Sequence, residues 1–276
     1  MVQAIKLSEL GNRKRRNDPV NEDEESEIDI SSTDSEEENA GDEEQEIVNI
    51  DFDFFDGNPD VDFHAVKHLI RQLLGPQESN RVQLSALSDL ILSSPTTTIK
   101  TDGKESDPYC FLSFINYKEN KDSDYAKYLR KLDTRIETFL QTLDNTGNKS
   151  CALVMSERLI NMPPEVVTPL YRITMEDAAA ANEGKPFDFY VIVSRKYEVN
   201  FDMDEAEGDA SARSKKRVRG KSEVDYFHEE DRFFEKHAKV HFDGESKKGL
   251  IASYIIIDHD SLVKSINEFE QEVSTW

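Results

Sequence analysis

Apolar and polar residues alternate in several short runs of this chain and follow a 3,4 spacing in others. In Ile47–Phe55 (I-V-N-I-D-F-D-F-F), Ile50, Phe52 and Phe54 alternate with Asn49, Asp51 and Asp53, the period of a strand. Asp60–Leu74 puts Phe63, Val66, Leu69, Ile70 and Leu73 on one helical face, and Gly75–Pro76 is expected to end it. Arg81–Leu92 predicts a second helix, stopped by Pro95. Thr96–Lys100 and Tyr109–Tyr117 are rich in β-branched and aromatic residues and predict strands. Ser123–Leu143 carries the clearest helical stripe, from Tyr125 to Leu143, with Ser123 as its cap. Ser150–Ser156 and Phe187–Arg195 predict strands. Pro163–Ala181 predicts a helix with Pro164 in its first turn and a bend at Pro169. Phe233–Phe242 fits helix and strand equally. Leu250–Ile257 has the length of a buried strand, and Ser261–Val273 closes the chain as an amphipathic helix. The pattern is α/β but not strictly alternating, so a mixed central sheet flanked by helices is expected.

Charge divides the chain. Of 276 residues, 57 are Asp or Glu and 34 are Lys or Arg, a net charge of −23. Residues 1–50 hold 16 acids and 5 bases, and the first aromatic residue is Phe52. Residues 1–46 have too little apolar surface to offset their ordering entropy and are expected to form a disordered acidic tail. Residues 47–276 are expected to form one α/β domain. Within it, 202–222 turns from acidic to basic without apolar period and is expected to be a mobile insertion. The acidic excess excludes a simple nucleic-acid binder, which would repel phosphate, and favours a basic partner. The longest apolar run, Leu250–Ile257, falls far short of the ~20 residues of a membrane span, and Met1–Leu10 has no apolar core of a secretory signal. Cys110 and Cys151 form no CxxC pair, and a reducing compartment is expected.

Candidate chemistry is sparse. Asn21–Glu46 can attract a cationic partner or simply raise solubility. Within it, Ser26, Ser31, Thr33 and Ser35 each have an acid three residues on, a pattern suited to acid-directed kinases. Two compact basic runs stand in acidic surroundings: Arg13, Lys14, Arg15 and Arg16, and Lys215, Lys216, Arg217 and Arg219 extending to Lys221. Both fit recognition by nuclear transport receptors, with local charge compensation as the plainer alternative. His64 and His68 sit at i, i+4 on a polar helix face, and His237 and His241 repeat the spacing without an evident third ligand. Asp258-His259-Asp260 is expected to cap the last helix. Asp102-Gly103-Lys104-Glu105 lacks the upstream glycine and the Ser or Thr after Lys that a phosphate loop requires. Nothing in the residues argues for catalysis.

The segment Ser156–Tyr171, SERLINMPPEVVTPLY, resembles the hallmark segment of the BCCIP family, a eukaryotic group with fungal members. Ile47–Phe55, FDFYVIVS at Phe187–Ser194 and EEDRFFEKHAKVHF at Glu229–Phe242 agree with it in the same order. The resemblance implies a nuclear protein that shuttles to the cytoplasm, without catalytic activity or cofactor. It also implies a chaperone and export factor whose clients are a basic large-subunit ribosomal protein and a phosphatidylinositol-phosphate kinase. No direct contact with nucleic acid or membrane is implied. The core is expected to be similar to GNAT acetyltransferases without a cofactor site. The nearest counterpart of their pyrophosphate loop, Gln72–Gln77, ends in Gln, contains Pro76 and falls at a helix end, where the dipole repels phosphate. Aromatic residues of Tyr109–Tyr117 and Phe233–Phe242 are candidate client anchors, with core packing as their alternative role. Two rival functions follow from the same residues, a general acidic histone-type buffer and an acetyltransferase.

Overall fold

Period-two alternation becomes burial on two faces of one sheet. The computed structural model describes residues 50–200 and 222–276. The acidic tail 1–46, both basic runs and the four phosphorylation candidates lie outside the described residues. So does the expected insertion, except for Ser222, which opens a strand. The strands are β1 (Asp53–Asp56), β2 (Thr96–Lys100), β3 (Cys110–Asn116), β4 (Cys151–Arg158), β5 (Phe189–Asn200), β6 (Ser222–Tyr226), β7 (Val240–Asp243) and β8 (Leu250–Asp258). They run in the order β1-β2-β3-β4-β5-β8-β7, and β6 also pairs with β5. Every pairing is antiparallel except β4 with β5, so the sheet is mixed.

The helices are α1 (Pro59–Glu78), α2 (Leu84–Leu92), α3 (Tyr117–Asn120), α4 (Asp124–Leu132), α5 (Thr134–Thr146), α6 (Val167–Ala181), α7 (Asp231–His237) and α8 (His259–Val273). Helices α1, α2, α4 and α5 cover one face. Val66, Ile70, Leu87, Ile91, Leu129 and Leu140 pack there against Phe111, Ile115, Leu153, Met155, Val191 and Ile256. Helices α6, α7 and α8 cover the other, with Leu170, Tyr171, Phe234, Ile266 and Phe269 against Leu112, Phe114, Val154, Ile192 and Ile255. Successive residues of each central strand thus enter opposite cores, the burial expected of a strand covered on both sides.

Several boundaries depart from the sequence pattern for local reasons. Helix α1 does not stop at Gly75. It kinks there, where Gly75 takes φ 72°, and one more turn runs to Glu78. The stripe predicted as one helix from Ser123 is two. Ser123 caps the first, its hydroxyl accepting from the Ala126 N–H at 3.2 Å. Asp133 then turns extended (φ −152°, ψ 142°), and its carboxylate accepts from the Arg135 N–H at 2.7 Å. No bend arises at Pro169. Helix α6 begins at Val167, so Pro169 occupies the first turn, where an N–H has no intrahelical partner to lose. Phe233–Phe242 resolves into both alternatives, α7 and then β7. Strand β6, which the pattern missed, pairs antiparallel with Lys196–Asn200. Asp258 caps α8, accepting from the Ser261 N–H at 3.0 Å.

Replacing Asp133 by Ala should remove the cap that starts α5 and lower stability by about 1 kcal/mol in equilibrium urea unfolding. An unchanged midpoint would mean that packing alone sets the break.

Candidate functional site

The parallel ladder between β4 and β5 is short. Cys151–Val154 pairs with Phe189–Ile192, and there it stops. Farther along β5, Lys196–Asn200 pairs with β6. Val193, Ser194 and Arg195 therefore lie between the two ladders, beside the end of β4. Charged side chains gather at this opening. Glu157, from β4, is wholly buried. Its Oε1 accepts from Arg195 Nη2 of β5 at 3.0 Å, from His228 Nε2 at 3.1 Å and from Gln72 Nε2 of α1 at 3.2 Å. It also accepts from the Arg158 N–H at 3.2 Å. Arg195 Nη1 reaches back to the Gln72 carbonyl at 2.8 Å.

A second layer stands behind the first. Arg158 makes a two-pronged pair with Glu230, one prong at 2.9 Å and the other shorter. Ser194 donates to Asp231. Burial alone would raise the Glu230 carboxyl, but the Arg158 guanidinium outweighs it and holds the group below its ordinary value. Asp231 goes the other way. Burial, and then the neighbouring Glu230 charge, push it up to about 7. In front of these groups a cavity of about 220 Å³ opens, lined by Gln72, Arg158, Ile160, Arg195, Phe227 and His228. A larger groove, about 470 Å³, adjoins it through Gln72 and Arg195 and runs between the end of α1 and β7–β8.

The other sequence candidates take plainer roles. His64 and His68 are exposed on α1. His237 and His241 do not share a helix, because α7 ends at His237. His237 bonds Glu268 at 2.9 Å. Among the described residues, one group could hold a metal by geometry, Glu235, His241 and Asp243. The Lys196 ammonium already sits among them, 2.6 Å from Glu235 and 2.9 Å from Asp243, and supplies the positive charge a metal would bring. Gln72–Gln77 offers helix-end carbonyls and a kink, and Gln72 spends both its side-chain amide and its carbonyl on the charged cluster. Cys110 and Cys151 are buried, and burial pushes both thiols far up, so neither is poised as a nucleophile. Phe111, Phe114, Tyr117, Phe233, Phe234 and Phe242 are core residues, which removes them as client anchors. No described helix is long and apolar enough to cross a membrane.

Gln72, Glu157, Arg195, His228, Glu230 and Asp231 were not singled out by the pattern. A signal existed in the ends of two apolar strands, C-A-L-V-M-S-E-R and F-Y-V-I-V-S-R-K, where charge follows directly on buried residues.

Residues 47–234 match the family model described as BCCIP. The chain is similar to Protein BCP1 of Saccharomyces cerevisiae, with 66% identity over 100% of both chains. It is also similar to Protein bcp1 of Schizosaccharomyces pombe, with 40% identity over 68% of this chain and 72% of the relative. The crystal structure of BCP1 from Saccharomyces cerevisiae superposes with a TM-score of 0.73 at 64% identity, covering 87% of this chain and 96% of that one.

Asp231 gives a pH signature. In the fold it keeps its proton to about pH 7, whereas its ordinary value is 3.8. Its contribution is whole below pH ~4 and is lost as pH rises to ~7, because only the folded state holds the proton in that window. Stability relative to Asp231→Asn should therefore fall between these limits and level off above them. A difference that does not change with pH in urea unfolding would contradict the assignment.

Proposed function

This chain belongs to the BCCIP family, and on that premise we propose that it is a non-enzymatic nuclear escort for a basic ribosomal protein of the large subunit. In this reading it supports large-subunit assembly, shuttles through nuclear transport receptors and serves the nuclear export of a phosphatidylinositol-phosphate kinase. One observation carries the proposal, the net charge of −23. An isolated ribosomal protein exposes Lys and Arg meant for RNA. An acidic escort masks them until ribosomal RNA, a denser polyanion, displaces it.

The described core adds support beyond the tail. Its buried cations are already matched: Lys100 by Asp62, Arg158 by Glu230, Arg195 by Glu157 and Lys196 by Glu235 and Asp243. Acids crowd elsewhere. Burial and the like charges of Asp56 and Glu176 together raise Asp177. A cationic client surface would relieve that crowding. The part of the reading that makes the core GNAT-like without a cofactor site draws on Gln72–Gln77, where the helix kinks at Gly75 and Pro76 lacks the N–H a pyrophosphate would need.

The test compares full-length protein with residues 47–276 in pull-downs from lysate at ~0.1 M and ~0.5 M salt, a step that shortens the Debye length from ~10 Å to less than half of that. One large-subunit ribosomal protein should stay bound to both at the higher salt. A broad set of basic proteins, held only by the full chain and lost in salt, would instead make it a general acidic buffer.

A further inference from the structure

The strand order ends on β1 at one side of the sheet and on β7 at the other. In the ladder between β1 and β2 the Gly57 N–H donates to the Thr96 carbonyl at 2.9 Å, while Phe55 and Asp53 stand opposite Thr98 and Lys100. An antiparallel ladder bonds alternate residues, so Asp53, Phe55 and Gly57 turn their backbone groups toward β2. Phe54 and Asp56 turn theirs outward, and among the described residues no group meets them. Such an edge is a template for one more strand.

Charge decides which strand fits. Asp53 shares its face with Phe55, and the cation opposite it, Lys100, is already held by Asp62 at 2.6 Å. Asp56 shares the other face with Phe54, which packs into the core beneath α6. There, burial and then the like charges of Asp56 and Glu176 raise the Asp177 carboxyl. None of these four acids enters an ion pair among the described residues. Both faces of the β1 edge are therefore negative. The β7 end differs, because Lys196 matches Asp243 at 2.9 Å and the Arg135 guanidinium lies over the Phe242 ring at 3.7 Å. At β1 a second copy of this chain would set acid against acid, and an acidic strand would fare no better. A basic strand gains opposite-charge pairs on both faces and apolar contact with the half-buried Phe54 and Phe55.

We propose that the outer edge of β1 takes up an extended, Lys- and Arg-rich segment of a partner protein as an added strand. Its backbone pairs with Phe54 and Asp56, and its cations face Asp53 on one side and Asp56, Glu176 and Asp177 on the other. The proposal rests on the escort reading for the identity of the partner and gives that reading a place on the folded core.

The experiment uses the full-length protein and amide hydrogen exchange followed by NMR. The probe is the peptide acetyl-Lys-Val-Lys-Lys-Val-Lys-amide, which puts cations on both faces of a strand, and its control carries Glu for every Lys. Saturating basic peptide should slow exchange at Phe54 and Asp56 roughly tenfold, and the acidic peptide should leave it unchanged. Asp53→Asn combined with Asp56→Asn should weaken the basic peptide about fivefold. Asp56→Pro removes an outward N–H without touching a bond to β2, and should weaken it about fivefold beyond Asp56→Asn. The exchange measurement on the parent chain decides the matter if Asp56→Pro fails to fold. Unchanged exchange at Phe54 and Asp56, equal protection by the acidic peptide, or equal affinities of Asp56→Pro and Asp56→Asn would overturn the proposal. Protection that grows with protein concentration in the absence of peptide assigns the edge to a second copy and overturns it too. Pull-downs with the same variants separate this claim from the escort reading. A ribosomal protein held equally by Asp56→Pro and the parent chain at ~0.5 M salt overturns the edge and leaves the escort standing. Peptide pairing at the edge with no ribosomal protein captured does the reverse.

Discussion

The centre of the sheet depends on the Glu157 carboxylate. Where β4 and β5 cease to pair, the backbone no longer joins the two strands, and side chains must do so. Glu157 meets α1 through Gln72, β5 through Arg195 and the segment after β6 through His228. Four elements that share no sequence neighbourhood thus converge on one oxygen atom. Such a buried charge is costly to desolvate, and the donors that hold it all gather on Oε1, while Oε2 is buried without a hydrogen-bond partner among the described residues. The second layer, Arg158 with Glu230 and Ser194 with Asp231, extends the same arrangement toward α7.

Charge is segregated as a result. Buried cations find buried acids, and nearly half of the chain's net negative charge falls in residues 1–50, with 16 acids against 5 bases. That division ties the fold to the escort reading. A protein that masks a basic client needs negative charge that its own cations do not neutralise, together with a core that remains folded under self-repulsion. Two cores on opposite faces of one sheet supply that stability, each built from alternate residues of the same strands.

The strands and most helices were legible because burial imposes a period. Thr96–Lys100 coincides with β2, and Leu250–Ile257 with nearly all of β8. Legibility failed where a single residue changes conformation without disturbing the period. Leu129, Leu132 and Ile136 keep helical spacing across Asp133, so the stripe hides the break. Strand β6 was missed because Glu223, Val224 and Asp225 are all exposed and carry no buried apolar period, and the sequence before them is a run of charges. The charged cluster was least legible. Gln72 and Arg195 lie 123 residues apart, and only the sheet order brings them together. The family resemblance drew attention to Ser156–Tyr171, which contains Glu157 and Arg158, but said nothing of the partners they meet.

The most direct test of this account is equilibrium urea unfolding of the full-length Glu157→Gln variant against the parent chain. Removing the charge while keeping the shape should cost roughly 3–5 kcal/mol, the range for breaking a buried pair. A loss below about 1 kcal/mol, within the range of an ordinary surface ion pair, would mean that packing holds β4 and β5 in place and that Glu157 is not what the centre of the sheet depends on.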